Sequence, residues 1–290
     1  MSKINYRELF VPALTHPMRQ GEPGFNIWYA ATQAMVDQGI LLEGLGRIQR
    51  MAMRRYLGEN RGPFFSPEEL IEDAKDAWEL ESIPPVPDDL FEVLIRGYQH
   101  GLKGLVPIYY SNINPSTINR APLVIPKIWS HQEKKLLPLP EELTTLSKGW
   151  ALFDATPQIN NITGQKFYPN DEIIPLIIEN LRATGQIDHS DESRFGLLPK
   201  DITELVLPKI ASFLNIESGR VQMPSILQSL AAAQLYFLDV QRYGTYEWYG
   251  DMLKDGSHLL FSKEFSGIQI RSMKETSAEL GFRFQILFPS

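Results

Sequence analysis

The chain has 290 residues, of which 43% are hydrophobic and 22% are charged. These are ordinary values for globular proteins, and the length is comfortable for two domains. The net charge of −7 argues against wholesale nucleic-acid binding, which normally requires a basic surface. The absence of cysteine excludes disulfides, thiolate zinc sites and cysteine nucleophiles.

Two targeting signals are missing from the sequence. No run approaches the roughly 20 apolar residues that a membrane-spanning helix needs. The stretch from Met1 to Phe10 also lacks the apolar core of a secretion signal. We therefore expect a soluble cytoplasmic protein, and association with a virion or another particle remains compatible with this expectation.

The region from residue 1 to 104 has helical patterns. Asn26 can cap a first helix, and apolar residues recur at helical spacing between Trp28 and Leu57. Gly39 and Gly46 bracket the expected break in that stretch. The sequence therefore predicts a helical N-terminal region.

Two further helices have clearer starts. Ser66 is a good N-cap, since Pro67 suits the first helical position and Glu69 completes a capping box. This helix is predicted to run to about Glu81. The next is predicted from Pro87 to about residue 101.

The segment from residue 105 to 140 is rich in proline, which interrupts helices. Val106–Tyr110 and Leu123–Trp129 are predicted to be extended. We interpret this segment as a connection, and we expect an α+β domain from residue 141 to 290.

The expected domain begins with a strand and helices. Gly149–Asp154 is predicted to be a strand, followed by a helix from Asp171 to about Gly185. Pro199 leads another helix that continues through Phe213. Ser225 then starts a helix with a capping box, which is expected to give way near residue 244.

Short strands separated by glycines follow this last helix. The candidates are Ser257–Phe261, Ile268–Met273 and Phe282–Phe288. We expect the last of them to pair inside a sheet, because an exposed apolar edge would invite aggregation. A strand, then helices, then several strands is an α+β order.

Four pieces of sequence in this region resemble a formylglycine-generating-enzyme-type domain, which is a variant of the C-type-lectin fold. They are M-P-S-x-x-Q at 223–228, Y-E-W at 246–248, D-G-S-x-L-L at 255–260 and G-F-R-F at 281–284. The resemblance covers about the last quarter of the chain. It implies a C-type-lectin-like domain with short antiparallel strands, in which the following residues belong to the scaffold: Glu247, Trp248, Gly281, Phe282 and Arg283.

The departures from that family restrict its implications. Without cysteine, the oxidation performed by the sulfatase-activating members is excluded. The family has Gly-Gly-Ser-Trp where this chain has Leu260-Phe261-Ser262-Lys263. The calcium-site sequence motifs of true lectins are absent. The binding members remain, including the variable proteins of diversity-generating retroelements, which present side chains between the glycine-rich strand and G-F-R.

The resemblance therefore implies a ligand-binding surface on the following residues: Tyr246, Tyr249, Lys263, Glu264, Gln269, Arg271 and Lys274. For the two tyrosines, a place in the core is an equal alternative. Arg283 stands between apolar residues and should have a buried or half-buried partner, for which Glu247 is our candidate.

Other patterns with chemical meaning have more ordinary interpretations. Gly44-Leu45-Gly46 starts like a dinucleotide loop, but Gln49 stands where the third glycine belongs and no strand precedes it. Residues 188–192 include His189 among metal-ligand types, although polar loops often have this composition. Asp255, Ser257 and His258 have the residue types of a catalytic triad, but such partners normally converge from separate elements.

Three arginines would form a basic stripe on a helix. Arg47, Arg50 and Arg54 lie at helical spacing, with Arg61 nearby. Such a stripe could contact phosphates. A solvated helix face, or pairing with the acidic residues of 68–76, is the alternative explanation.

The sequence as a whole favours a non-catalytic recognition protein without a cofactor or metal. Its partner would be a protein or a glycan rather than a small molecule, and it would suit a component of a phage or contractile particle. Two alternatives stay open. One is an enzyme with dispersed site residues, and the other is a nucleic-acid-associated protein that uses Arg47–Arg61.

Overall fold

The structure is a computed structural model. It describes residues 66–118, 121–125, 127–130, 134–156, 173–188, 194–236, 246–264, 267–273 and 280–288. At 129–130, 261–264 and 267–273 it describes the backbone and its pairing. The chain divides into two compact units, Met1–Phe65 and Ser66–Ser290. The first unit contains the helices predicted between Trp28 and Leu57 and the arginine stripe. It lies outside the described residues, so only the second unit is treated below.

Helices α1 (Pro67–Trp78) and α2 (Asp88–Gln99) open the second unit. The predicted capping box is confirmed, since Ser66 and Glu69 each accept a hydrogen bond from the other's backbone N–H at 3.2 Å. Helix α1 ends earlier than Glu81, because Glu79 takes a left-handed conformation with φ of 53°. Such a residue closes the helix by turning the chain away from its axis.

The predicted helix from Pro199 through Phe213 is present but not uniform. Pro199–Asp201 leads into a π-helical turn at Ile202–Val206, and α4 (Leu207–Leu214) follows. Pro208 has no N–H and its ring crowds the carbonyl one turn back. The preceding residue, Leu207, accordingly bonds five residues back to Ile202.

Two other helices flank that segment. Helix α3 (Ile173–Ala183) confirms the helix predicted after residue 171. Helix α5 (Ile226–Leu235) has the predicted capping box, with Ser225 and Gln228 as reciprocal partners. Tyr236 is its C-cap, and its hydroxyl donates to the Tyr109 carbonyl. The end predicted near residue 244 lies outside the described residues.

The smaller sheet has four strands in the order β1-β4-β10-β5. These are β1 (Leu105–Tyr110), β4 (Gly149–Asp154), β5 (Val221–Gln222) and β10 (Gln285–Phe288), and all neighbours are antiparallel. The expectation that the last strand pairs inside a sheet is confirmed, since β10 has a partner on both sides.

The larger sheet has six strands in the order β3-β2-β8-β7-β6-β9. They are β2 (Ile128–Ser130), β3 (Lys135–Leu137), β6 (Tyr246–Met252), β7 (His258–Glu264), β8 (Gly267–Met273) and β9 (Leu280–Phe282). Strands β6, β7 and β8 form an antiparallel meander, whereas β2 and β9 join it by parallel pairing. The sequence did not predict β6 or β3.

The prediction of one strand over Phe282–Phe288 is wrong, because the segment is divided between the two sheets. Strand β9 ends at Phe282 in the larger sheet, and β10 begins at Gln285 in the smaller one. Arg283 lies at the crossing, where its side chain binds buried acceptors. An apolar run of this length cannot by itself reveal that its two halves join different sheets.

The core lies against β1 and β4, whose residues are all buried. Since successive side chains point to opposite faces, the smaller sheet is covered on both sides here. Helices α1, α2 and α5 all contact β1. The region is mixed α+β, as predicted. Segment 105–140 contributes β1 to the same sheet as β4, and the domain limits at 104 and 140 stay predictions.

The outer edge of β1 is closed by side chains. The Tyr236 hydroxyl donates to the Tyr109 carbonyl at 2.7 Å and accepts from the Tyr109 N–H at 3.0 Å. The Trp78 indole N–H donates to the same carbonyl at 2.7 Å. These contacts satisfy backbone groups that would otherwise offer a pairing site to another chain.

Tyr236→Phe should therefore destabilise the fold by about 1–3 kcal/mol, because it leaves the buried Tyr109 N–H without its acceptor. Urea unfolding followed by circular dichroism measures this change. Tyr246→Phe is the matched control. Tyr246 is half-buried, so water can replace the lost hydroxyl contacts and the variant should lose less stability. Equal losses in the two variants would contradict the explanation.

Candidate functional site

One row of residues crosses the whole larger sheet. Cross-strand pairing joins Leu136 to Trp129, and Trp129 to Arg271. Arg271 pairs with Leu260, which pairs with Trp248, which pairs with Phe282. Paired residues in neighbouring strands share a face, so this row lies on one face of the sheet.

The two ends of this row differ in burial. Trp248, Leu260 and Phe282 are at most 1% exposed, whereas Leu136 at the other end is 57% exposed. The face is therefore covered at β6 and β9 and meets solvent at β3. Gln269 lies two residues from Arg271 on β8 and so belongs to the same face. We call Trp129, Leu136, Gln269 and Arg271 the open end.

The open end has a basic border. Lys127 precedes β2 and Lys134 precedes β3, and both side chains are exposed. Lys135, the first residue of β3, alternates with Leu136 and so falls on the opposite face. The chain as a whole carries a net charge of −7. Lys127 and Lys134 thus place positive charge locally on an acidic protein.

Pairing register groups some of the predicted ligand residues. Tyr246 pairs with Ser262, which pairs with Gln269, so Tyr246 shares the face that holds Gln269 and Arg271. Glu264 lies two residues beyond Ser262 and shares that face as well. Lys263 falls on the opposite face.

The structure separates the two predicted ligand tyrosines. Tyr249 is 2% exposed, which corrects its surface placement in favour of the core alternative. Burial raises the pKa of its phenol well above the ordinary value, and nearby Glu247 and Asp251 raise it further. Tyr246 is half-buried. Lys274 lies outside the described residues.

The sequence did not single out Trp129 or Leu136, because both lie in the proline-rich segment. Only the extended character of Leu123–Trp129 pointed in their direction. Parallel pairing of β2 with β8 brings Trp129 beside Arg271 across more than half the described chain. No local pattern encodes such a contact.

Beneath this face, the predicted ion pair between Arg283 and Glu247 is confirmed. Arg283 Nε donates to Glu247 Oε2 at 2.8 Å, and both side chains are 3% exposed. Arg283 Nη1 also donates to the backbone carbonyls of Asp154 and Thr156, at 2.8 and 2.7 Å. One guanidinium therefore ties β6 to the end of β4, joining the two sheets.

A second buried pair lies next to it. Arg194 Nη1 donates to Asp154 Oδ2, and Thr156 Oγ1 donates to the other carboxylate oxygen at 2.5 Å. The Arg194 guanidinium also lies 5.8 Å from the Phe282 ring centre and 5.7 Å from that of Phe284. No sequence pattern singled out Arg194.

Burial alone would raise the pKa of the Asp154 carboxyl. The positive charges of Arg194 and Arg283 outweigh it, so the pKa lies below its ordinary value. Asp154 is therefore ionised at neutral pH and is not a proton donor there. We assign both buried ion pairs to the scaffold that holds the larger sheet in place.

The candidate triad does not form. Ser257 Oγ donates directly to Asp255 Oδ1 at 2.6 Å, and the Ser257 N–H donates to the same oxygen at 2.9 Å. This is a local turn in which the serine bonds to the carboxylate and not through a histidine. The ring of His258 instead lies edge-on to Trp248, with centroids 6.1 Å apart.

His189 and the Arg47–Arg61 stripe lie outside the described residues. Across the described part of the chain, no three or more His, Asp or Glu residues are grouped so as to hold a metal ion. Every helix in the ranges given above is too short or too polar to cross a membrane.

Comparison with known proteins adds no relative: no protein-family model, no curated protein and no solved structure matches this chain. The resemblance to formylglycine-generating-enzyme-type domains therefore stays a prediction from four pieces of sequence. The class that the structure defines is mixed α+β.

Proposed function

We propose that this protein is a non-catalytic recognition protein that binds a macromolecular partner through the open end of the larger sheet. The observation that carries this proposal is the row from Leu136 to Phe282. It is anchored in the core at one end and exposed at the other.

The residue types at the open end suit recognition. Tryptophan and arginine are the types most enriched among residues that dominate binding energy, and here they are direct register neighbours. A paired sheet also holds its residues in fixed positions, which lowers the entropy lost on binding. The basic border favours an acidic partner, either a protein or an acidic glycan.

The buried charged groups supply the complementary argument. Glu247, Arg283, Asp154 and Arg194 bind one another or backbone carbonyls within the core. These groups act on the fold, since Arg283 joins the two sheets at the buried end of the row and Arg194 neutralises Asp154 beside it.

The experiment compares binding of the full chain with two variants of the open end, Trp129→Ala and Arg271→Glu. Each should weaken binding of a genuine partner by roughly thirtyfold or more in Kd, the loss expected for a residue that dominates an interface. Lys200→Glu is the matched control, because it reverses an exposed charge on a helical residue that belongs to neither sheet.

Candidate partners would be sought on an array of acidic and neutral glycans and by crosslinking to proteins, with affinities then measured on purified partners. A partner retained by Lys200→Glu and lost by both open-end variants supports the proposal. Binding that all three variants preserve would place the recognition surface elsewhere. Turnover of a small molecule by the wild type would instead favour the enzyme alternative.

A further inference from the structure

The far end of β6 is attached to the start of α5 by two hydrogen bonds. Gly250 N–H donates to the Pro224 carbonyl at 3.0 Å, and Ile226 N–H donates to Asp251 Oδ2 at 2.5 Å. A Cβ atom on Gly250 would lie only 2.8 Å from the Met223 carbonyl oxygen, so the backbones are in close contact. These two hydrogen bonds and the close backbone contact fix how β6 meets the start of α5.

The strand departs from its regular ladder at this junction. The β6–β7 register shifts between Trp248 and Met252, the interval that contains Gly250 and Asp251. Such irregularities bend a strand and re-aim its side chains. Here the irregularity directs the Asp251 carboxyl to the helix instead of to β7.

Asp251 acts at a helix start that already has its cap. Ser225 Oγ accepts from Gln228 N–H at 3.2 Å, while Asp251 takes the amide of Ile226, the first helical residue. Unpaired amides at a helix start need acceptors, and either form of the Asp251 carboxyl can accept the Ile226 N–H. The helix dipole favours the ionised form there, whereas burial of the carboxyl opposes it. Helix α5 itself carries no charged side chain.

The charged groups around Asp251 have other partners. On β6, Glu247 is bound to Arg283, which comes from the crossing between β9 and β10. In the following turn, Lys254 lies 3.1 Å from Glu142, and Asp255 accepts from Ser257. Within the described ranges, the remaining titratable groups nearby are Tyr249 on β6 and His258 on β7.

The Asp251 side chain is partly buried, and none of the described residues forms an ion pair with it. Desolvation raises the pKa of Asp251 to about 6, although the hydrogen bond from Ile226 lowers it in part. A raised folded-state pKa stabilises the junction fully below the ordinary aspartate value of ~3.9. That stabilisation is lost as the pH rises through about 6.

We propose that Asp251 is a pH-sensitive latch, which holds β6 against α5 while its carboxyl is protonated and loosens when it ionises. Local opening lets the carboxylate hydrate without unfolding the smaller sheet. Because β6 belongs to the meander of the larger sheet, the latch makes the order of that sheet depend on pH.

Amide hydrogen exchange on the full chain between pH 4 and pH 8 tests the latch, after correction for intrinsic exchange rates. Protection of the Ile226 and Gly250 amides should fall by up to roughly a hundredfold across this range. Leu152, in the centre of the smaller sheet, reports global unfolding and should change much less. Asp251→Asn keeps an acceptor for Ile226 but cannot ionise, so its protection should be nearly constant.

Asp88→Asn is the matched control, because it removes an exposed aspartate from the start of α2 and should titrate like the wild type. His258 has a lowered pKa from burial and therefore acts in the opposite direction, destabilising as the pH falls. Both proteins contain His258, so subtracting the protection in Asp251→Asn from that in the wild type at each pH removes the contribution of His258.

Two results would overturn the proposal. One is an equal pH dependence at Ile226 and Leu152, which would link the proton to global unfolding. The other comes from the wild type alone, by carbon-detected NMR titration of the Asp251 carboxyl. A midpoint near 4 would show that burial at the junction does not hold the proton, whereas a midpoint near 6 agrees with the latch.

Discussion

Replacing Arg283 by methionine is expected to lower the free energy of unfolding by about 3–5 kcal/mol. Methionine fills similar space but leaves the Glu247 carboxylate buried and without its 2.8 Å partner. It also leaves the carbonyls of Asp154 and Thr156 without their donor. Urea denaturation at pH 7, with the slope held in common, measures the loss.

Two further variants separate the buried pair from ion pairs in general. Glu204→Gln breaks the exposed 3.9 Å pair with Lys200 and should leave stability unchanged within error. The double variant Glu247→Leu with Arg283→Met removes both buried charges and should recover part of the loss. A double variant as unstable as Arg283→Met would show that the carbonyl contacts of Arg283, and not the ion pair, dominate.

Asp154→Asn should lower the free energy of unfolding at neutral pH by about 3 kcal/mol, nearly as much as Arg283→Met. The amide cannot neutralise Arg194, whose side chain is 1% exposed. If the remaining oxygen keeps its hydrogen bond from Thr156 Oγ1, the new amide nitrogen faces the Arg194 Nη1 donor, so the variant loses an acceptor as well as the charge. Thermal and urea unfolding of the two proteins measure the difference.

The stability difference between the wild type and Asp154→Asn should also depend on pH, and this dependence is the more specific test. Because the folded-state pKa of Asp154 is lowered, its stabilisation is complete above the unfolded value of ~3.9 and is lost as the pH falls through the folded value. The gap between wild type and Asp154→Asn should therefore narrow steadily in acid. A gap that stays constant from pH 7 to pH 3 would mean that the carboxylate charge contributes nothing.

Local sequence signals predicted the elements that depend on local chemistry. The capping boxes at Ser66 and Ser225 were found because the cap and its partner lie three residues apart. Strand β4 was found because its apolar run is buried on both faces and bounded by turns. The Arg283–Glu247 pair was found because a charged residue within an apolar run needs a partner.

The remaining features depend on contacts that are distant in sequence. Arg194 and Asp154 are 40 residues apart, and the Tyr236 hydroxyl binds the backbone of Tyr109 from 127 residues away. The crossing at Arg283 looked like a continuous strand, since both halves are apolar. Periodicity identifies an element but not the sheet that it joins.

The candidate site shows the same division. Gln269 and Arg271 were named from the resemblance, and the pairing of β8 places them on one face with Tyr246. Trp129 and Leu136 became part of the open end only through β2 and β3. A short strand among prolines has too few residues to establish a period, so its partners could not be deduced.

The position of β10 between β4 and β5 also determines the order in which this protein can be completed during synthesis. Strands β1 and β4 leave the ribosome before β10 and can pair with each other, but the second edge of β4 has no partner until residues 285–288 are made. Contacts of such long range form slowly, because the intervening chain must first be brought together. The nascent protein therefore presents the unpaired, apolar edge Trp150–Phe153 until residues 285–288 have been synthesised, which makes this edge a natural point for chaperone binding.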